Sequence, residues 1–200
     1  MGIEALPALL ADGAIVTVRG ELRDNWVDFH GLLENGNENF EPPVPVAPTD
    51  LANIQYTSGT TGLPKGCMQP HLYWLMIGYS GSIAKNWPDH DTKMKNILIT
   101  YPFFYMMPQY EFMLALYCEG TVFVARRASL KKLIGWIKAY HIHYCAMNPM
   151  ALRGLPPEHP SDAENDLVYI AAYYLAGEAQ RNLEKRFNAV GRNSFGMTEI

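Results

Sequence analysis

Apolar side chains from residue 50 onwards fall into short runs separated by segments of helical periodicity. Leu72, Met76, Tyr79 and Ile83 recur at helical spacing, which predicts a helix with one buried stripe. Helices are predicted at residues 26–33, 72–83, 108–118, 130–137 and 183–190. Strands are predicted at residues 13–20, 52–56, 96–101, 121–125, 143–147 and 167–175, and a short strand and turn at residues 193–198. Strands that alternate with helices of this length predict an α/β fold with a doubly wound, mostly parallel sheet flanked by helices.

Residues 34–48 differ from the rest of the chain because they place four prolines among asparagine, glycine and acidic residues (ENGNENFEPPVPVAP). Proline removes a backbone donor and favours extended backbone, so we expect a linker or a surface crossing at residues 34–49. The chain is then predicted to consist of a partial strand and helix unit at residues 1–33, this linker, and a principal domain at residues 50–200.

The composition is that of a folded protein, with 48% hydrophobic residues in a chain of 200. The formal net charge is −4 and no basic stripe is present, so nucleic acid is not expected as a partner. Charged residues make up 18% of the chain, below the roughly 25% of typical soluble domains, which favours a surface that meets further protein.

The cysteines and the apolar runs bear on the cellular location. Cys67, Cys118 and Cys145 lie in unrelated contexts without a CxxC pair, which favours reduced thiols over a disulfide framework. No apolar run reaches the roughly 18–20 residues that span a bilayer. We therefore expect a cytoplasmic protein without a membrane span.

The most informative stretch is residues 56–66, which read YTSGTTGLPKG. Hydroxyl side chains and glycines after a predicted strand and before a predicted helix can direct several N–H and O–H donors at one point, and Lys65 adds a positive charge. Such a nest favours an oxyanion, and polyphosphate is the expected ligand. The stretch is not a Walker A loop, which requires GxxxxGK followed by serine or threonine. The alternative is an ordinary glycine and serine turn.

This loop resembles the phosphate-binding signature YTSGTTGxPKG of the adenylate-forming superfamily of AMP-dependent synthetases and ligases, which includes acyl- and aryl-CoA synthetases. Residues 193–199 (NSFGMTE) resemble a second signature of that superfamily, Y-G-x-T-E, with Phe195 in place of tyrosine. Residues 175–180 (LAGEAQ) resemble, more weakly, the loop that lies along adenine, with Gln180 in place of proline. The resemblance implies that residues 50–200 are the nucleotide-binding core of an incomplete large domain.

The resemblance also implies a role for individual residues. Thr198 and Lys65 are the implied catalytic residues, since Thr198 would hydrogen-bond the α-phosphate and Lys65 would offset charge on the departing pyrophosphate. Glu199 would coordinate Mg²⁺. The β- and γ-phosphates of ATP would be bound by Thr57, Ser58, Gly59, Thr60, Thr61, Gly62 and Lys65. The rest of the nucleotide would be bound by Gly177, Glu178, Ala179, Phe195, Gly196, Met197 and Thr198.

Phe104 and Tyr105 fall where the superfamily has an aromatic residue beside the acyl pocket, and Tyr105 replaces its usual histidine. Peptide-synthetase adenylation domains commonly place an aspartate here, and no acid occurs between Tyr101 and Gln109. This favours a small carboxylic acid over an amino acid as substrate. The aromatic and methionine-rich run at residues 103–113 suits an apolar acyl or aryl tail, and ordinary core packing explains it equally well.

The resemblance implies that the full-length parent activates a carboxylate with Mg-ATP to an acyl-adenylate and passes the acyl group to CoA. Two alternatives remain, a non-catalytic nucleotide-binding module and an adenylation domain that loads a carrier protein. Neither the downstream Y-x-T-G-D segment nor the small C-terminal domain is found in the sequence. We therefore expect the 200-residue chain to be a fragment that binds ATP weakly and does not turn over alone, with that domain as its missing partner.

Overall fold

A computed structural model describes residues 15–17, 26–34, 44–57, 62–83, 94–175, 177–193 and 196–198. The chain divides into two compact units, Met1–Val46 and Ala47–Ile200. In the first unit, β1 (Ile15–Thr17) pairs in parallel with β2 (Trp26–Asp28), which leads directly into α1 (Phe29–Glu34). The predicted helix at residues 26–33 is therefore wrong in its first turn, where an aromatic and a β-branched residue favour a strand.

The second unit contains a five-stranded parallel sheet with strand order β6-β5-β7-β8-β9. In chain order its elements are β3 (Leu51–Thr57), β4 (Lys65–Pro70), α2 (His71–Ser82), β5 (Asn96–Ile99), α3 (Met106–Tyr117), β6 (Thr121–Val124), α4 (Leu130–Ala139), β7 (Tyr144–Ala146), α5 (Pro149–Gly154), a 3₁₀ helix (Pro160–Ala163), β8 (Tyr169–Ala171), α6 (Glu178–Phe187) and β9 (Val190–Arg192). The chain first winds outward from β5 to β6 and then crosses to β7 on the other side of β5. The predicted doubly wound α/β fold is confirmed.

The sheet is buried on both faces, and successive residues of its strands alternate between two cores. In β5, Ile97 and Ile99 pack with Leu114 of α3 in one core. Leu98 points to the opposite face and joins a second core with side chains of α4 and α6, such as Ile137 and Phe187. Continuous apolar runs are what parallel strands covered on both faces require, which is why the sequence pattern located them well.

The strands β3 and β4 form a separate antiparallel hairpin, with Thr57 opposite Lys65 at its far end. The predicted order of strand, loop and helix is wrong here, because the loop leads into β4 and α2 begins only at His71. The positive end of a helix dipole is therefore not directly available to this loop. Backbone N–H groups, hydroxyls and Lys65 remain as the donors.

The helix α2 was predicted with the wrong face buried. Leu72, Met76, Tyr79 and Ile83 are all exposed, with between 45% and 54% of their surface accessible. The buried residues of α2 are instead Trp74, Gly78 and Gly81. The glycines let α2 approach α3 closely, since a Cβ on Gly78 would lie 2.8 Å from the Tyr117 ring and 3.0 Å from the Met113 carbonyl oxygen.

Other differences from the predictions concern short elements. The final strand is Val190–Arg192. Of residues 193–198, predicted as a short strand and turn, the described ones form no strand and Thr198 lies in a turn. The short helix α5 was not predicted, although Asn148 caps it by accepting a hydrogen bond from the Ala151 N–H at 2.9 Å. Within the described part of the chain, no helix is long and apolar enough to cross a bilayer.

Candidate functional site

Several candidate residues lie in loops at the carboxyl edge of the parallel sheet, which is where open α/β sheets bind ligands. Because the five strands run in parallel, the loops after β5, β8 and β9 leave the sheet at the same edge. Phe104 and Tyr105 follow β5, Gly177 follows β8 and Thr198 follows β9. Residues from three separate segments of the sequence therefore share one edge of the sheet.

The loop after β8 ends at Gly177, the N-cap residue of α6. Its φ of 58° lies in the left-handed region that favours glycine. Glu178 and Ala179 form the first turn of α6, and both are exposed. Asn193 Nδ2, just beyond β9, donates a hydrogen bond to the Leu175 carbonyl oxygen at 2.7 Å. The loop assigned to adenine and the beginning of the second signature are therefore connected.

The phosphate-loop candidates lie at the tip of the hairpin formed by β3 and β4. Thr57 is the last residue of β3, half-buried, and Lys65 is the first residue of β4, exposed and opposite Thr57. Gly62 has a φ of 155°. Ser58, Gly59, Thr60 and Thr61 lie outside the described residues.

One face of this hairpin carries a polar network that reaches the loop after β5. Gln55 Nε2 donates to the Phe104 carbonyl oxygen. Gln109 of α3 donates to the Phe103 carbonyl oxygen at 2.6 Å and to Gln55 Oε1 at 3.1 Å. Asn53 Nδ2 donates to Gln109 Oε1 at 2.8 Å. The network fixes the hairpin against the aromatic segment assigned to the acyl pocket.

The same face of the hairpin reaches the second signature through Gln69. Gln69 Nε2 donates to the Thr198 carbonyl oxygen at 2.8 Å, although the two residues are 129 positions apart. Lys65 and Gln69 alternate onto one face of β4 but are separated by about 13 Å of strand, so Thr198 contacts the end of β4 away from Lys65. Strand β4 therefore links the candidate phosphate loop with Thr198.

A surface groove of about 620 Å³ lies beside this contact. Its lining residues come from β4, α2 and the second signature, and they are Cys67, Met68, Gln69, Pro70, Leu72, Tyr73, Met76 and Thr198. Burial, and then the nearby Cys67 thiol, raises the pKa of Tyr73 above its ordinary value of 10.0. Of the predicted site residues in the described part of the chain, only Thr198 lines the groove.

Phe104 and Tyr105 form an exposed aromatic pair rather than part of the core. Their ring centroids are 4.4 Å apart, and 66% of Phe104 and 54% of Tyr105 is accessible. Tyr105 is the N-cap residue of α3, and its side chain makes no capping hydrogen bond. Core packing, the alternative explanation for the run at residues 103–113, therefore does not account for the Phe104 and Tyr105 rings.

The described glycines of the candidate site face open space. Among the described residues, and apart from the chain neighbours of each glycine, no heavy atom lies within 4 Å of the position that a Cβ would take on Gly62, Gly177 or Gly196. By contrast, a Cβ on Gly66 would lie 2.8 Å from Ile54 Cγ2. A ligand could approach the backbone at the three open glycines, which is the usual reason for glycine in a phosphate or nucleotide loop.

A comparison with protein families decides the identity of the chain. The model of the AMP-binding enzyme family matches residues 4–200. The chain belongs to the AMP-binding enzyme family. The prediction of an adenylate-forming enzyme is thereby confirmed, and the two signatures that carried it belong to an AMP-binding enzyme.

Relatives of this AMP-binding chain include 4-coumarate–CoA ligase 3 of Oryza sativa subsp. japonica, which is 28% identical over 193 residues. That match covers 92% of this chain and 34% of the rice ligase. The chain therefore spans about a third of the length of this relative.

Solved structures of similar proteins show the same fold. The luciferase-like enzyme from the mealworm Zophobas morio superimposes with a TM-score of 0.75 at 20% identity, over 94% of this chain and 44% of that one. The Bacillus subtilis O-succinylbenzoate coenzyme A synthetase, solved in complex with AMP, gives a TM-score of 0.69 at 20% identity, over 100% of this chain and 53% of that one.

Phe195 and Glu199 of the second signature also lie outside the described part of this AMP-binding chain. Gly196 and Met197 are exposed and precede Thr198. The structure brings Thr198 next to β4 and places Gly177 and Phe104 on the same edge of the sheet, whereas Lys65 lies apart at the tip of the hairpin.

Sequence reasoning missed the polar residues that connect these segments, Gln69, Asn193, Gln55 and Gln109. A signal for Gln69 was available, because Lys65, Cys67 and Gln69 share a face if residues 65–70 form a strand. The composition of residues 65–70 (KGCMQP) does not favour a strand, because it lacks β-branched residues.

Glu111 of α3 is a second residue that the sequence did not single out. It is fully buried, and neither carboxylate oxygen has a hydrogen-bond partner among the described residues. Burial raises the pKa of this carboxyl well above its ordinary value of 4.5. The neutral acid is therefore the form favoured at this position.

Proposed function

We propose that the full-length protein containing this chain is an acid–thiol ligase of the acyl-CoA synthetase type. It would activate a small carboxylic acid with Mg-ATP and transfer the acyl group to CoA. The observation that carries the proposal is the hydrogen bond from Gln69 to the Thr198 carbonyl, because it attaches the second signature to β4, the strand that begins with Lys65 of the first signature. The family membership and the CoA-ligase relative support the same reaction class.

In the first proposed step, a carboxylate oxygen attacks the α-phosphorus of ATP and the bond to the β-phosphate breaks, which yields an acyl-adenylate and pyrophosphate. Lys65 and the donors of the hairpin tip would bind the β- and γ-phosphates and stabilise the charge that develops on pyrophosphate. Thr198 would donate a hydrogen bond from its hydroxyl to an α-phosphate oxygen. The open positions at Gly62 and Gly196 leave room for a ligand beside both segments.

The adenine would lie against the loop before α6, where Gly177 offers open backbone and Glu178 and Ala179 follow. Phe195 would supply an apolar ring for stacking. The Asn193 hydrogen bond to Leu175 supports this arrangement, since it joins the two segments that would contact the base.

Mg²⁺ in proteins is commonly held by one or two carboxylates together with substrate phosphates, so the single carboxylate of Glu199 suits this ion. When bound, Mg²⁺ neutralises charge on the phosphates. The residues of this chain would orient the nucleotide around it: Lys65 at the far phosphates and Thr198 at the α-phosphate.

In the second proposed step, the CoA thiolate attacks the acyl carbon, the thioester forms and AMP leaves, while the thiol proton passes to solvent. The exposed Phe104 and Tyr105 rings would border an apolar acyl or aryl group of the substrate. The three cysteines are free, which agrees with a reducing, cytoplasmic setting for this chemistry.

The decisive experiment measures pyrophosphate release by the full-length protein with ATP and a panel of small aliphatic and aromatic carboxylic acids. We expect release that depends on one class of acid and a thioester that forms only when CoA is added. Absence of acid-dependent pyrophosphate release across the panel would refute the reaction. Acid-dependent release without thioester formation would favour a carrier protein as acyl acceptor.

A matched pair of lysine variants tests the assignment of the hairpin tip. Lys65→Ala should lower kcat/KM for ATP on the order of 100-fold, the usual effect of removing one donor to a developing anion. Lys131→Ala makes the same charge change on an exposed position of α4, outside the proposed site, and should leave kcat/KM unchanged. Equal effects of the two substitutions would contradict a specific role for Lys65.

A further inference from the structure

Gln69 occupies an unusual position for an amide side chain. Only 3% of its surface is accessible, and it lies on β4 four residues after Lys65. Its Nε2 donates to the Thr198 carbonyl oxygen at 2.8 Å and contacts Met106 Sδ at 3.3 Å. The Gln69 side chain therefore connects three segments. They are the hairpin of β3 and β4, called the phosphate hairpin below, the beginning of α3 and the second signature.

The other end of the same amide has no partner. Gln69 Oε1 is buried and makes no hydrogen bond among the described residues. A carbonyl oxygen can only accept, so the Thr198 carbonyl requires the NH₂ end of the amide to face it. The orientation of Gln69 is thus set by Thr198, and it is kept even though a buried acceptor is left unpaired.

A hydrogen bond to the Thr198 carbonyl constrains more than one oxygen atom. The peptide unit is planar, so a held carbonyl restricts rotation about the Cα–C bond of Thr198. That rotation sets the direction in which the chain leaves Thr198 and the position of the Thr198 hydroxyl relative to β4. Gln69 does this from the strand that begins with Lys65.

We propose that Gln69 is a positioning residue for adenylation, one that holds Thr198 in place relative to the phosphate hairpin through its backbone carbonyl. This inference rests on the proposed function, since it concerns the same site. Gln69 acts through Thr198 and is not itself a catalytic residue. Its effect is therefore expected on the transition state more than on ATP binding.

The test uses Gln69→Leu in the full-length protein, a substitution that roughly keeps the side-chain volume and removes the donor. We expect kcat for acid-dependent pyrophosphate release to fall about three- to tenfold, the effect of losing one neutral hydrogen bond, with KM for ATP changed less than about twofold.

Asn165→Leu is the matched control. The Asn165 amide also donates to backbone carbonyls, those of Asp162 at 2.7 Å and Phe187 at 2.9 Å, but it contacts none of the residues that line the groove. It should lower the melting temperature without changing kcat at temperatures where the protein is folded. An equal loss of kcat in both leucine variants at matched melting temperature would overturn the positioning role.

Hydrogen exchange gives a readout that does not depend on activity. In Gln69→Leu, amide exchange in the peptide that contains Thr198 should be about three- to tenfold faster, while exchange in β5 stays unchanged. Unchanged exchange in that peptide would refute the inference. If the wild-type protein releases no pyrophosphate, the proposed function is refuted instead. The exchange result would then test only the hydrogen bond between Gln69 and Thr198.

Discussion

Asn193 donates a hydrogen bond from its side-chain amide to the Leu175 carbonyl oxygen at 2.7 Å. This bond joins the loop that follows β8 to the segment that follows β9, and these are the two places where we expect the adenosine part of ATP to lie. Neighbouring parallel strands bring the two loops to one edge of the sheet, and the amide then sets their spacing.

Asn193→Ala should raise KM for ATP about two- to tenfold, because the two loops lose a hydrogen bond that holds them in register. Steady-state kinetics of pyrophosphate release by the full-length protein would measure it. Asn165→Ala removes a comparable amide away from both loops and should leave KM for ATP unchanged. A KM for ATP that is the same in Asn193→Ala and wild type would show that the bridge does not serve nucleotide binding.

Gly78→Ala should destabilise the protein. The added Cβ would lie 2.9 Å from Met113 Cβ and 3.0 Å from its carbonyl oxygen, so backbone must move. Overpacking of this kind costs about 1–3 kcal/mol, which exceeds the roughly 1 kcal/mol that alanine gains over glycine in a helix. We expect a lower free energy of unfolding in urea and a lower melting temperature.

Gly135→Ala makes the same substitution but should change the free energy of unfolding in the opposite direction. Gly135 lies on an exposed position of α4, and apart from its chain neighbours and the nearby backbone of its own helix, no heavy atom of the described residues is within 4 Å of its Cβ position. Only the helix-propensity gain remains, so the free energy of unfolding should rise by about 0.5–1 kcal/mol. If Gly78→Ala and Gly135→Ala changed the free energy of unfolding in the same direction, the close packing of α2 on α3 would be disproved.

Glu111→Gln should stabilise the protein at neutral and alkaline pH. Burial raises the pKa of Glu111 above 4.5, so the folded state keeps a proton that the unfolded state releases. The free energy of unfolding therefore falls as pH rises above the unfolded value, by up to about 1.4 kcal/mol per pH unit. Glutamine is neutral at every pH and removes this slope.

Urea unfolding of wild type and Glu111→Gln at about pH 5 and about pH 8 would measure the difference between the two slopes. The exposed Glu164→Gln is the control, and its pH dependence should follow that of wild type. Parallel curves for wild type and Glu111→Gln would indicate that the Glu111 carboxyl is ionised in the folded state.

The sheet was predictable from the sequence because its strands are buried on both faces. Ile97, Leu98 and Ile99 are each 3% exposed or less, and such continuous apolar runs need no knowledge of their partners. The face of α2 was not predictable in the same way. Its contact with α3 depends on Gly78 and Gly81, and an apolar periodicity gives no weight to residues that pack by being small.

The candidate site was likewise predictable only in part from the sequence. The two signatures were recognisable as linear motifs, whereas the residues that join them were not. Gln69 and Thr198 are 129 positions apart and meet only because the hairpin folds back toward the end of β9, so no local sequence pattern encodes their contact. A bridging amide looks like any surface glutamine until the tertiary structure is known.

Gln180 replaces the proline of the adenine-loop signature. It also contacts β9 at the edge of the sheet. Val190 and Arg192 direct their backbone bonds at β8, so Gly191 faces outward. Gln180 Nε2 donates to the Gly191 carbonyl and Glu184 Oε1 accepts from its N–H, both at 2.9 Å. Helix side chains thus take the place that another strand would occupy at Gly191. An extended peptide that paired with β9 at Gly191 would first have to displace these two hydrogen bonds. The two bonds therefore protect this position from edge-to-edge association.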